Sequence, residues 1–263
     1  MRLGFDLETD GFLDQLTRIH CIATMDFDTG QRRVYGPEGI GQGIALLQQA
    51  SELIAHNGIC FDIPAIQKLF PSFSTDRIKV TDTLVLSRLM KGDLKNDDFT
   101  KNFTGDEFPK RLHGSHSLKA WGLRLGVEKG DFGETTDWSC WSQPMQDYCE
   151  QDVTVTHALW LHLQSESWSK EAVQFEHDVA EICHRIGQAG WTFKADKAAQ
   201  LYAQLALERS TLGEQLQTLF PAWTLEEEFI PKVNNKKLGY VKGEPFIKKR
   251  EVQFNPNLSL IHI

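Results

Sequence analysis

The stretch that most constrains the fold is Leu3-Gly4-Phe5-Asp6-Leu7-Glu8-Thr9-Asp10. Its apolar residues alternate with acids, the period of a strand with one face buried. Phe5 and Leu7 then point into a core, and Asp6 and Glu8 share the opposite face. Two carboxylates side by side repel unless a cation lies between them. An Asp-x-Glu strand is therefore either a solvated edge or one wall of a metal site, and the rest of the chain must decide which.

The following elements imply a mixed α/β fold. Strands are expected at 18–27, 31–35, 53–56 and 78–80, with Asp28-Thr29-Gly30 as a hairpin turn. Helices are expected at 40–50, 62–70 and 82–90. Three strands followed by alternating helices and strands is the pattern of a mixed sheet flanked by helices. Beyond it, 91–114 is polar and reads as a loop, a helix runs 115–125 with Ser115 or Ser117 as its cap, and 130–142 reads as a second loop. Long helices follow at 143–163, 171–189 and 195–219. A domain boundary is expected near 165–170. Lys232, Lys236, Lys237, Lys242, Lys248, Lys249 and Arg250 then cluster, either as a solvated, disordered tail or as a phosphate-contacting segment.

Composition excludes some classes. The net charge of −8 argues against nucleic-acid binding by bulk positive charge, although bound divalent ions can invert the sign locally. The five cysteines form no C-x-x-C, which disfavours a disulfide framework or a zinc site and fits a reducing, cytoplasmic setting. The chain enters its first strand at once, leaving no room for a signal peptide, and no apolar run reaches membrane-spanning length.

Two further stretches bear on the acid pair. His56-Asn57-Gly58-Ile59-Cys60-Phe61-Asp62 places an acid at the start of a helix, where it is most often only a cap. Tyr148 and Asp152 are four apart on the 143–163 helix and so share a face. In this order, Asp-x-Glu, Asn…Phe-Asp and Tyr-x-x-x-Asp resemble the three exonuclease motifs of the DEDD superfamily, in its tyrosine-bearing DEDDy branch. That branch includes the proofreading domains of family A DNA polymerases, and the resemblance implies an RNase H-like fold.

Longer stretches are similar to the replicative DNA polymerases of T-seven-type short-tailed phages. They include Arg18-Ile19-His20-Cys21, Asp82-Thr83-Leu84-Val85-Leu86-Ser87-Arg88-Leu89, Gly114-Ser115-His116-Ser117-Leu118-Lys119-Ala120-Trp121-Gly122 and Glu176-His177. The likeness runs to about Trp223 and resumes at Phe254-Asn255-Pro256-Asn257. It implies an exonuclease domain over 1–168 and the helical start of a polymerase thumb over 169–263, without palm or fingers. The activity implied is metal-dependent hydrolysis of the terminal phosphodiester at a DNA 3′ end, releasing nucleoside monophosphates. Single-stranded or frayed 3′ ends and primer-template DNA would be its partners, in the cytoplasm of a bacterial host. Two divalent ions, Mg²⁺ or Mn²⁺, would be held by Asp6, Glu8, Asp62 and Asp152. Asp6, Glu8 and Asp152 would take the first ion and Asp6 would bridge to the second, which Asp62 would help hold through water. Tyr148 would orient the attacking water, and Phe12 and Asn57 would touch the substrate.

Two features depart from that family. The segment between Trp223 and Phe254 is much shorter than the family's insertion that recruits host thioredoxin, so thioredoxin binding does not carry over. Leu258-Ser259-Leu260-Ile261-His262-Ile263 resembles a translated transposase mosaic end, which would make the chain a truncated reading frame. Two other classes stay open: a stand-alone exonuclease acting on RNA or DNA, and a non-catalytic nucleic-acid-binding module. Among the remaining residues, His20, His116 and His177 read as hydrogen-bonded structural groups, Trp121, Trp138 and Trp141 as core or loop anchors, and Asp82 as a helix cap.

Overall fold

In the computed structural model, residues 1–100, 108–127 and 137–256 are described. Leu258–Ile263 lie outside them, as do parts of the 91–114 and 130–142 stretches. Five strands form one sheet: β1 (Arg2–Thr9), β2 (Ile19–Asp26), β3 (Arg32–Tyr35), β4 (Glu52–Ala55) and β5 (Lys79–Asp82). The order is β3-β2-β1-β4-β5, with β1 central, antiparallel to β2 and parallel to β4. The chain between them supplies helices α1 (Ile40–Leu47), α2 (Asp62–Leu69) and α3 (Thr83–Met90). The mixed sheet expected from the sequence is thus present, with element ends shifted by one to three residues.

The alternation along β1 divides two cores. Leu3, Phe5 and Leu7 face a cluster with Ile44, Leu47, Ile63 and Ile66 of α1 and α2. Gly4, Asp6 and Glu8 face the other side, beside Met25, Ala23 and Cys21 of β2. That side is covered by α6 (Gln143–Gln164), which packs Met145, Cys149, Val153 and Trp160 against Cys21, Ala23, Met25 and Phe27. Gly4 is needed there because a Cβ would lie 2.0 Å from the Phe27 ring.

The polar 91–114 stretch is not wholly loop. It contains α4 (Leu94–Thr100), whose Asp98 is buried. Asp98 accepts hydrogen bonds from Arg124 Nε and Nη2, both at 2.8 Å, and from Gly114 N–H at 2.8 Å. Arg124 lies on α5 (Leu118–Leu125), which Ser117 rather than Ser115 caps. A short polar helix carries a weak periodic signal, and its anchor is an arginine 26 residues away. α7 (Lys170–Ala189) packs on α3.

The chain divides into two compact units between Gly190 and Trp191. The second contains α8 (Ala195–Leu219) and a hairpin of β6 (Trp223–Phe229) and β7 (Phe246–Val252). The basic cluster is therefore not a disordered tail. Glu226 and Glu227 stand opposite Lys249 and Lys248, Glu226 and Lys249 forming an ion pair at 2.6 Å. Phe254 stacks on Phe220 with ring centroids 4.6 Å apart. The strand pairing sets acids from twenty residues upstream against these bases, which a local charge count cannot show. No helix among the described residues is long and apolar enough to cross a membrane.

Gly4→Ala should destabilise the fold by about 1–3 kcal/mol, because the added methyl displaces a buried ring in a filled core. Urea unfolding checks this, and an unchanged midpoint contradicts the packing argument.

Candidate active site

The first wall of the site is β1. Asp6 and Glu8 are half-buried on the face covered by α6, and the small Cys21 and Ala23 beside them leave room above the strand. α6 brings Cys149 down onto the pair. Its Sγ lies within 4.8 Å of a carboxylate oxygen of each acid. Cys149 is no competing metal ligand: its thiol donates to the Asp6 carbonyl at 3.3 Å. Burial first, then the Cys21 thiol and the charge of Asp6, raise its pKa well above the ordinary thiol range. The thiol stays protonated, leaving hard carboxylate oxygens as the available donors. That set suits Mg²⁺ or Mn²⁺ better than zinc.

Asp152 lies on the buried stripe of α6 that includes Met145, Cys149, Val153 and Thr156. An acid among apolar positions is off-pattern for a core helix. It faces a cleft of about 720 Å³ that Asp6 and Asn57 also line. Tyr148, one turn earlier, is half-buried, with its ring edge-on to Trp138 at 6.5 Å between centroids. Trp138 is in turn fixed by its carbonyl, which accepts from His20 Nε2 at 2.9 Å. Trp138 thus borders the predicted tyrosine, a role its sequence context did not indicate, while Trp121 is core as expected.

Asp62 is the first residue of α2, and the N-cap position falls to Phe61. It is buried, and the Leu7 N–H of β1 favours its ionised form. β1 pairs with β4 only through Gly4, so beyond that point its edge is open to this acid. Burial, with Asp82 and then Asp152 adding repulsion, pushes the Asp62 carboxyl up to about 7 despite the nearby N–H groups. The structure therefore gathers Asp6, Glu8, Asp62, Asp152 and Tyr148 around β1 and α6. Among the described residues, however, the one donor group within 4.8 Å comprises Asp6, Glu8 and Cys149, without Asp62 or Asp152. Phe12 is 77% exposed on the turn after β1 and does not line the cleft.

The turn carrying Asn57 is held by a carboxylate outside the predicted site. Asp82 ends β5, level with Ala55 at the end of β4. It caps α3, as expected, by accepting from Leu84 N–H at 2.9 Å. It also accepts from Asn57 N–H at 2.9 Å and from Ile59 N–H at 3.1 Å. These bonds hold Asn57 at φ +69°, the left-handed region that few residues other than glycine adopt. Asp82 N–H in turn donates to His177 Nε2 at 2.8 Å, while His177 Nδ1 donates to the Val173 carbonyl at 2.8 Å. His116 Nδ1 meets Ser87 Oγ at 3.0 Å. His20, His116 and His177 are each hydrogen-bonded within the fold. Only the parallel β4–β5 register could have signalled the wider reach of Asp82, since adjacent parallel strands end side by side.

A family model described as the RNase H superfamily matches residues 3–164. The chain belongs to the RNase H superfamily. This RNase H-like chain is also similar to the DNA-directed DNA polymerase of Escherichia phage T7, with 31% identity over 261 residues, covering 83% of this chain and 37% of that protein. The DNA-directed DNA polymerase of Enterobacteria phage T3 gives the same figures. The chain thus spans a little over a third of the length of these relatives. Among solved structures, the apo form of a nuclease is 20% identical with a TM-score of 0.45, covering 70% of this chain and 79% of that one. Escherichia coli RNase D, an exoribonuclease involved in structured RNA processing, is 13% identical with a TM-score of 0.40, covering 68% and 45%.

Two measurements probe this site. Asp82→Ala leaves three backbone donors without their acceptor and should cost at least about 2 kcal/mol in urea unfolding. Asp62 makes the apo protein pH-sensitive. Its folded pKa of about 7 lies above the ordinary 3.8, so the folded state holds a proton that the unfolded state has lost. In EDTA, stability should fall as pH rises from about 4 to about 7, and Asp62→Asn should flatten that fall in a thermal melt. A wild-type melt that does not change over this window contradicts a buried, cation-free Asp62.

Proposed function

We propose that residues 1–168 form a metal-dependent exonuclease that removes nucleoside monophosphates from the 3′ end of DNA, and that 169–263 begin a polymerase domain of the phage type. The observation that carries this reading is the cleft shared by Asp6 and Asp152 in a domain of the RNase H superfamily, with the buried Asp62 carboxyl close enough to Asp152 to feel its charge. The similarity to phage DNA-directed DNA polymerases supports DNA as the substrate and proofreading as the setting.

Asp6, Glu8 and Asp152 would hold one divalent ion, Mg²⁺ or Mn²⁺, and Asp6 with Asp62 a second. When bound, such ions supply an activated water and charge stabilisation at the leaving oxygen. The chain's own groups do the rest. Tyr148 offers a phenol that hydrogen-bonds and orients the attacking water. A phenol is a weak base, so its part is to orient the water. The Cys149 thiol, protonated and bonded to the Asp6 carbonyl, fixes the acid pair from the α6 side. The turn at Asn57, fixed by Asp82, presents a polar edge to the strand end. The exposed Phe12 ring, on a turn tied by the Thr9 hydroxyl donating to the Gly11 carbonyl at 2.8 Å, can press against a terminal base. A frayed or mismatched end reaches the acids at lower cost, because its base is already unpaired.

The test is degradation of a 5′-labelled strand, with and without Mg²⁺, by the full chain and by the Asp6→Ala, Glu8→Ala double variant. Stepwise shortening from the 3′ end should require Mg²⁺ and fall at least about a thousandfold in the variant, the scale of losing a metal-borne nucleophile. Matched duplex should be cut more slowly than single strands. Undiminished cutting by the variant removes the site assignment, and equal cutting of an RNA strand removes the choice of DNA.

A further inference from the structure

Two of the acids, Asp6 and Asp152, share their cleft with a cation. Arg88 extends from α3 into the cleft that Asp6, Asn57 and Asp152 also line. It is exposed, and Leu84, one turn earlier on the same helix face, lines the same cleft. Several arginines of the first unit are ion-paired: Arg2 with Asp28, Arg18 with Asp10, Arg32 with Glu150 and, in the wall of this cleft, Arg124 with Asp98. Among the described residues Arg88 has no ion pair, although two carboxylates line the same space. The fold therefore holds the guanidinium apart from the acids instead of letting them neutralise each other.

The other basic groups lining the cleft are histidines engaged elsewhere. His56 Nδ1 is hydrogen-bonded to Thr83 Oγ1 at 2.9 Å. His116 meets Ser87, and burial, then Arg88 and Arg124, lower its pKa below 6.5, so it is neutral at pH 7. Arg88 is thus the permanent positive charge among the described lining residues. The wall beside it is rigid. Gly114 adopts φ +74° over α4, where a Cβ would lie 2.9 Å from Lys95 Cβ, and the Ser115 carbonyl accepts from Arg124 Nη1 at 2.7 Å.

A phosphodiester strand fits this division of charge. The acid side needs a cation before it can take the scissile phosphate, and the next phosphates need a second positive group that carries no metal. A planar guanidinium with several N–H donors meets phosphate oxygens in pairs. We propose that Arg88 binds a non-scissile phosphate of the strand being cut and so selects a polynucleotide over a free nucleotide ester. This rests on the exonuclease reading above and names how that site holds its substrate.

Binding can be measured apart from cutting, by fluorescence anisotropy of a labelled short oligothymidylate with the full chain in EDTA across a salt series. Arg88→Ala should weaken binding about tenfold, the scale of one charge-assisted contact. The slope of log affinity against log salt should become shallower by about 0.7, the value for one phosphate contact on a single strand. Arg88→Lys keeps the charge and should keep the slope. With single neutral methylphosphonates placed along the strand, wild type should lose affinity at one linkage and Arg88→Ala should lose none there. Equal affinity and slope in wild type and Arg88→Ala, or no linkage whose effect depends on Arg88, overturns the proposal. Failure of the exonuclease reading shows separately, as Mg²⁺-dependent cutting that survives loss of Asp6 and Glu8.

Discussion

The Asp82 carboxylate is the interaction on which the site's arrangement depends. It is 1% exposed, and a bare charge there would be costly. Burial raises its pKa, while N–H donors from Asn57, Ile59 and Leu84 pull the other way. Those donors belong to the turn after β4 and the first turn of α3, so one acid joins the ends of two parallel strands and the helix that follows them. Its own N–H joins α7 through His177, 95 residues away in the chain. The left-handed Asn57, the start of the chain toward Asp62 and the position of Arg88 on α3 all follow from that junction.

Around it the molecule concentrates negative charge where a protein ordinarily avoids it. Asp62, Asp82 and Asp152 are buried, and Asp6 and Glu8 are half-buried beside them. Backbone donors offset the burial of Asp82 and Asp62 only in part, and burial first, then repulsion from Asp82, leaves the Asp62 pKa raised. A fold chosen for stability alone would place apolar side chains here. Keeping the repulsion is sensible if a cation completes the site, which connects the electrostatics of the apo protein to the proposed metal-dependent chemistry. The second wall is built from a different kind of pair. Asp98 and Arg124 are buried together, with bidentate geometry and further bonds to Gly114 N–H and the Ser115 carbonyl. Their charges cancel, and they serve to hold the turn facing the acids.

Much of this was legible in the chain. The alternation of Phe5 and Leu7 with Asp6 and Glu8 located β1 and both its faces, because successive side chains of a regular strand point to opposite faces. The i, i+4 spacing of Tyr148 and Asp152 put them on one side of α6, since helical geometry is local. The α4 helix was not legible, because a seven-residue, mostly polar helix carries little periodic signal and its anchor is distant. The hairpin of β6 and β7 was missed for the same reason. Its glutamates and lysines oppose one another only after the chain turns back, and counted separately they look like an acidic strand and a basic tail.

The sequence by itself determined the secondary elements around β1, the identity of the acids and the faces on which Asp6, Glu8, Tyr148 and Asp152 lie. These depend on interactions within a few residues. The tertiary structure alone decided that Asp62 is buried within reach of the charges of Asp82 and Asp152, that Cys149 sits on the acid pair as a protonated thiol and that Asp82 anchors Asn57. It also decided that Arg88 shares a cleft with the acids without pairing to them. Each of these depends on distances and burial between segments far apart in the chain. Desolvation and charge separation are properties of that packed arrangement and have no local signature in sequence.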